Sequence, residues 1–185
     1  MLKTANIQNG VNVDQLVETI DAVQKNPELA EFEFRAKNNW IDGGHCVSIV
    51  KSFYGVGAED TSRKETFTME CSHPNVLLGN DEAATPPEVV LHALASCLTG
   101  AMVYHAAANG ITIESAESVT KGGLDLQGFL GLKPEIRTGF EGIKVVLKVK
   151  SDASAGQLEN LAKFSPVFDI ITKPTPVSLE IIKSN

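Results

Sequence analysis

The amino-acid sequence predicts an α+β fold in which antiparallel sheets wrap around one long, buried central helix. Three observations predict it. Residues 85–109, TPPEVVLHALASCLTGAMVYHAAAN, read as an apolar helix with clear signals at both ends. Alternating stretches read as strands before that helix and again after it, and their runs favour segregated antiparallel strands over a doubly wound parallel sheet. One domain is expected over residues 29–185, preceded by an N-terminal helical extension over 1–28.

In chain order, residues 12–27 predict a short helix. Asn12 is its cap, Gln15 sits where a capping box needs it, Leu16, Val17, Ile20 and Val23 make one stripe, and Pro27 ends it. Residues 29–40 alternate as Phe32, Phe34 and Ala36 against Glu31, Glu33 and Arg35, the pattern of a half-buried strand. Asp42-Gly43-Gly44 turns the chain into a hairpin. Strands follow over 46–54 and 63–70, with Phe67, Met69 and Cys71 pointing one way. Residues 71–84, CSHPNVLLGNDEAA, carry proline, glycine and asparagine in place of a period; leading straight into the central helix, they are placed as a lip over whatever Cys97 faces.

The central helix is the strongest local signal. Thr85 can cap it, Pro86 and Pro87 stand where a missing N–H costs nothing, Glu88 complements the positive end, and Asn109-Gly110 provides a left-handed stop. Val89, Val90, Leu91, Leu94, Leu98, Met102 and Val103 cover more than one face, and a helix apolar nearly all round is buried nearly all round. Ala93, Ala95, Ser96, Gly100 and Ala101 form a band of small residues that admits another backbone, with Cys97 inside it. So small a chain has too little sheet to cover such a helix, and an intertwined homodimer with paired central helices is expected.

Beyond it, 111–121 and 143–149 alternate as strands. Between them, 122–142 holds six glycines and short apolar clusters such as Phe129-Leu130, an ordered excursion packing on a partner. Ser151 or Asp152 is expected to cap a helix running to Phe164, Ser165-Pro166 to break it, and 177–182 to form a closing strand.

Bulk properties narrow the function classes. At 185 residues, 43% hydrophobic and 21% charged, the chain reads as a globular protein with a well-buried core. A net charge of −7, with no basic block, argues against a nucleic-acid partner. No signal-peptide core is visible at the N-terminus and no stretch approaches the roughly 20 apolar residues of a membrane span, so a cytoplasmic location without membrane association is expected. Cys46, Cys71 and Cys97 are odd in number and lack a CxxC, which implies neither a disulfide framework nor a metal site. No cofactor is expected, and redox chemistry would belong to individual thiols.

Three pieces together resemble the family of osmotically induced protein C and the organic hydroperoxide resistance proteins (OsmC/Ohr). They are the entry Pro87-Glu88 into an alanine-rich helix that reaches Ala95-Ser96-Cys97, the exit Asn109-Gly110-Ile111, and Ser165-Pro166-Val167 before a last Pro-Val segment. The resemblance spans roughly residues 29–182. It implies an α+β dimer with sheets around two central helices, and reduction of organic hydroperoxides by a cysteine pair. One cysteine becomes a sulfenic acid, the second resolves it as a disulfide, and external dithiols regenerate the enzyme. By position Cys97 matches the attacking cysteine. The place of the resolving cysteine is held by Ser165, whose hydroxyl cannot form a disulfide. The family carboxylate position falls on Pro87, with Glu88 one step later, and the arginine that holds the thiolate corresponds by region to Arg35 or Arg63.

Two readings stand for Cys97. One is a small core residue of a close-packed helix. The other is an attacking thiol, which needs a nearby cation or donor because a free thiol is mostly protonated at neutral pH. Glu88, nine residues earlier, lies about 13 Å away along the helix and about half a turn out of phase, so it would serve Cys97 only from another subunit or indirectly. His92 and His105 are rotated from Cys97 by about 140° and 80°. Cys71, in the lip, is the candidate substitute resolving thiol, with Cys46 a weaker one; Arg35, Arg63 and Arg137 are the candidate thiolate-stabilising cations. The expected function is a thiol-dependent peroxidase acting on a small apolar organic hydroperoxide, with an external thiol as reductant. The alternative is a dimeric binding protein for a small apolar ligand.

Overall fold

The computed structural model describes residues 5–173 and 175–184; residues 1–4 of the expected N-terminal extension lie outside the described residues. Every strand pairing is antiparallel and the longest helix lies in the middle of the chain, so the α+β class predicted from sequence holds. The chain divides into two compact units, 1–92 and 93–185.

The N-terminal unit begins with a small hairpin, β1 (Ile7–Gln8) and β2 (Val11–Asn12). Its turn is Asn9-Gly10 with positive φ at both residues, 52° and 79°, the conformation a two-residue hairpin loop needs and Asn-Gly supplies. This strongest of short hairpin signals was not among the sequence expectations. Helix α1 (Val13–Lys25) follows, with Asn12 as cap accepting from the Gln15 N–H at 3.2 Å. Val17 and Ile20 on its apolar stripe remain exposed.

The strand expected over 29–40 is instead a 3₁₀ turn (Pro27–Ala30) and two separate strands, β3 (Glu33–Phe34) and β4 (Lys37–Asp42). The strand expected over 46–54 is likewise two, β5 (His45–Val50) and β6 (Phe53–Gly55). The reason is pairing: β3-β6-β7 form one three-stranded sheet, β7 being Ala58–Asp60, while β4-β5-β8 form another, β8 being Phe67–Cys71. One alternating run therefore feeds two sheets. The turn at Gly43 is as predicted, with φ +48°. Nor is the first run half-buried: Phe34 and Trp40 are 70% and 72% exposed. Packing in this unit is a cluster of aromatic rings, Phe32, Phe34 and Phe53, with centroids 5.6–6.1 Å apart. Phe32 lies directly over Gly55, where an added Cβ would stand 2.4 Å from its ring. Residues 72–84 form a loop closed by Ser72 N–H donating to the Ala84 carbonyl at 3.3 Å.

Helix α2 (Pro86–Ala108) runs through the boundary between the units. In the C-terminal unit its residues Leu94, Leu98 and Met102 join Leu158 and Ala162 in a buried core. The 3.6-residue period explains the stripe. Burial nearly all round, as read from sequence, does not occur in the single chain: Val90 and Tyr104 are exposed, and a Cβ built on Gly100 would meet nothing within 4 Å. With 23 residues α2 also has the length and apolarity of a membrane span, contrary to the sequence expectation; a core helix passes the same test.

The hairpin of β9 (Ile113–Gly123) and β10 (Gly142–Ser151) lays Ile113, Ile143, Val145, Leu147 and Val149 against that core. Strand β9 therefore extends two residues into the glycine-rich stretch, where Phe140 packs over Gly122 at 2.7 Å from the position of a Cβ. The stretch also holds a short helix, α3 (Leu126–Phe129), capped by Asp125. Helix α4 (Ala155–Ala162) is capped by Ser154 in a reciprocal box with Gln157. The expected caps are used elsewhere: Asp152 accepts from the Thr112 N–H at 3.0 Å and Ser151 donates to the Thr112 carbonyl at 2.6 Å. Ser165-Pro166 does more than end a helix, since it opens another, α5 (Pro166–Thr172). The strand expected over 177–182 is absent; Val177, Leu179, Ile181 and Ile182 are 84–87% exposed and no ladder receives them.

Candidate functional site

Both ends of α2 are built as the sequence implies. At the start, Thr85 donates from its backbone N–H and its hydroxyl to Glu88 Oε2, each at 2.8 Å, and the Glu88 N–H returns a bond to Thr85 Oγ1 at 3.4 Å. The N–H donor first, then the hydroxyl, hold the Glu88 carboxyl below its ordinary value. Glu88 is thus engaged in closing the helix. At the far end Gly110 adopts φ +69°, Ile111 N–H bonds the Ala106 carbonyl at 2.9 Å and Gly110 N–H bonds that of Ala107 at 3.2 Å, the two bonds of a Schellman stop.

Cys97 stands in the C-terminal unit on α2, a free, half-buried thiol next to buried Leu98. In the same unit Ser165 is 1% exposed, and its hydroxyl accepts from the Phe168 N–H at 3.1 Å, so the residue that the resemblance assigns to the resolving position is a helix cap. His105 stacks on Phe164 with centroids 4.2 Å apart, while His92 is exposed. Behind the helix, an apolar cavity of about 560 Å³ lies among Leu98, Met102, Val145, Leu147, Leu158 and Phe168.

Of the candidate cations, Arg35 and Arg63 have definite partners. Arg35 forks onto Glu59, with nitrogens 3.0 and 2.8 Å from its oxygens, and adds Glu33 at 2.6 Å. Glu59, then Glu33, raise the guanidinium further above its already high value, and the same bond lowers the Glu59 carboxyl. Arg63 donates to the Lys51 carbonyl at 3.0 Å and lies over the rings of Phe53 and Phe67, 4.8 and 5.4 Å from their centroids. Arg137 is exposed in the loop between α3 and β10, with Nε 3.7 Å from the place a Cβ would take on Gly139.

Cys71 lies at the end of β8, and its register partner on β5 is Cys46. Sequence reading weighed each of these thiols alone and missed the pair. The alternation around both residues was visible; the register that sets them opposite is a property of the sheet. Burial first, and the Cys46 sulfur second, push the Cys71 thiol above its ordinary value.

A model of the OsmC-like protein family matches residues 79–180. No curated protein matches the sequence. Among solved structures, the fold is similar to an OsmC-like protein from Mycoplasma pneumoniae, with TM-score 0.56 at 14% identity over 77% of this chain and 89% of that one. It is also similar to a protein from Psychrobacter arcticus named for osmotic stress induction and a detoxification response, with TM-score 0.51 at 14% identity over 71% and 83% of the two chains.

Proposed function

Because the chain belongs to the OsmC-like protein family, we propose that it is a thiol-dependent peroxidase in which Cys97 reduces organic hydroperoxides in defence against oxidative stress. The observation that carries this reading is the position of Cys97: of the three cysteines it alone falls within the family-matched residues 79–180, and it is half-buried rather than sealed. The thiolate attacks the terminal oxygen of the hydroperoxide, the O–O bond breaks, an alcohol leaves, and Cys97 becomes a sulfenic acid. Ser165 supplies no sulfur and its hydroxyl serves the α5 cap. An external thiol therefore condenses with the sulfenic acid, releasing water, and a second thiol frees Cys97 as a disulfide departs. A second route uses Cys71 as the resolving thiol.

The working unit is a homodimer in this reading. The open side of α2 at Val90, Gly100 and Tyr104 supports it, and a second copy would bring a cation or Glu88 to Cys97. The exposed side chains Phe129, Leu130 and Leu132 supply apolar surface for an alkyl substrate. The protein acts in the cytoplasm and needs neither cofactor nor metal.

The test is thiol consumption by cumene hydroperoxide and by hydrogen peroxide in wild type, Cys97→Ser and Cys71→Ser, with mass spectrometry of the products. Organic hydroperoxide is expected to react faster than hydrogen peroxide, and Cys97→Ser to abolish the fast phase. Rates no higher than those of a simple free thiol would sink the reading. They would favour the second one, a binding protein for a small apolar ligand, for which the cavity beside Leu98 and Met102 is the supporting observation.

A further inference from the structure

Three structural facts converge on the sheet formed by β4, β5 and β8. Cys46 and Cys71 are register partners in an antiparallel pairing that continues through Val47↔Glu70, Ser48↔Met69, Ile49↔Thr68 and Val50↔Phe67. Directly opposed residues of antiparallel strands have Cα atoms about 4.5 or 5.5 Å apart and side chains on one face, inside the roughly 4.4–6.8 Å that a disulfide spans. Both thiols are half-buried rather than sealed, so a small reagent reaches them. On the other side of β5, Trp40 is the register partner of Cys46.

We propose that Cys46 and Cys71 form a redox-active dithiol, distinct from Cys97, that exchanges electrons with low-molecular-weight disulfides. Cys71 holds its proton, through burial and through the neighbouring sulfur, which leaves the first attack to Cys46. The Cys46 thiolate attacks one sulfur of the small disulfide; that S–S bond breaks, one small thiolate leaves and takes a proton, and a mixed disulfide remains on Cys46. Cys71 then gives up its proton to water and attacks Cys46 Sγ, expelling the second small thiol. The protein pair loses two electrons and two protons, and the small disulfide gains them. Opposed strands bring the second sulfur to the first without rearranging the backbone, so the second step outruns release by outside thiols. Being built from residues before position 79, the pair stands or falls independently of Cys97 as a peroxidase regenerated by external thiols, and competes only with the route in which Cys71 resolves.

The experiment uses full-length Cys97→Ser protein and hydroxyethyl disulfide. Two thiols are expected to disappear per chain, with the intact mass falling by two hydrogens and the chain staying monomeric in thiol-free denaturing gels. Trypsin should then release residues 38–51 joined to 65–121, which in this variant carry only Cys46 and Cys71. Trp40, the one tryptophan, reports the event without labels, because a disulfide beside an indole quenches it; its fluorescence should fall and return on reduction. Cys71→Ser in the same background should stop at a mixed disulfide on Cys46 that outlives the one in Cys97→Ser by at least about 10-fold, and Cys46→Ser, left with Cys71 alone, should react more slowly than either. Mixed disulfides equally persistent in Cys97→Ser and its Cys71→Ser variant, links only between chains, or thiols of Cys97→Ser that do not react would each overturn the proposal.

Discussion

In the C-terminal unit Leu94, Leu98, Met102, Leu158 and Ala162 are buried together, and the apolar face of β10 closes on them. In the N-terminal unit Phe34, Trp40, Phe67 and Met69 stand on two three-stranded sheets and remain largely open. Both units have similar alternating strands, so pattern alone does not separate them. The difference is what lies across from the sheet: α2 and α4 cover one hairpin, while the rings of Phe32, Phe34 and Phe53 have mainly one another and Arg63. A strand buries its apolar face only where a second layer exists. The thiols follow the same division, a single cysteine on a helix in one unit and an opposed pair on strands in the other.

The sharpest way to break this comparison is to empty the core. Met102, 1% exposed, is its most buried large side chain, and Met102→Ala should cost 2–5 kcal/mol, or about that range, by lost transfer energy and the cavity left behind; urea unfolding followed by circular dichroism measures it. A loss below about 1 kcal/mol would mean that this unit has no tight core.

Ser165→Ala comes next. The cap of α5 is buried and bonded to the Phe168 N–H, so its removal should cost about 1–2 kcal/mol. Ser165→Cys puts sulfur at the position that the resemblance assigns to the resolving cysteine but should lose a similar amount, since a thiol is a weak acceptor. Equal stability of Ser165 and its alanine variant would remove the cap from the account.

At the entry to α2, Thr85→Ala should cost about 1 kcal/mol. Glu88 adds a pH dependence whose sign is fixed: its carboxyl is held low in the folded chain by the Thr85 donors. Its contribution is therefore complete above the unfolded value of about 4.3 and is lost as pH falls through the lower folded value. Glu88→Gln should accordingly differ from wild type at pH 7 and converge with it in acid. A difference unchanged down to pH ~2 would show that the carboxylate is not the source.

The smallest effect tests the open unit. Trp40→Ala should change the stability of isolated chains by no more than about 0.5 kcal/mol, as expected of an exposed side chain. A loss comparable to that of Met102→Ala, rising with protein concentration, would show this face covered in solution, and sedimentation would then report the proposed second copy.

Sequence alone determined what is local. The ends of α2 were legible because capping involves residues three to five apart, as in Thr85 with Glu88 and Gly110 with Ala107; so was the turn at Gly43, and so was Cys97 on the helix among small residues. Tertiary structure decided whatever depends on partners distant in sequence. It split the alternating run 29–40 between two sheets, matched Cys46 to Cys71, and tied Arg35 to Glu59, 24 residues away. It also left residues 177–182 without the ladder their alternation suits. The physical reason is that a hydrogen-bonded helix turn closes within one short segment, whereas a strand acquires its neighbours, its register and its buried face only when another part of the chain arrives beside it.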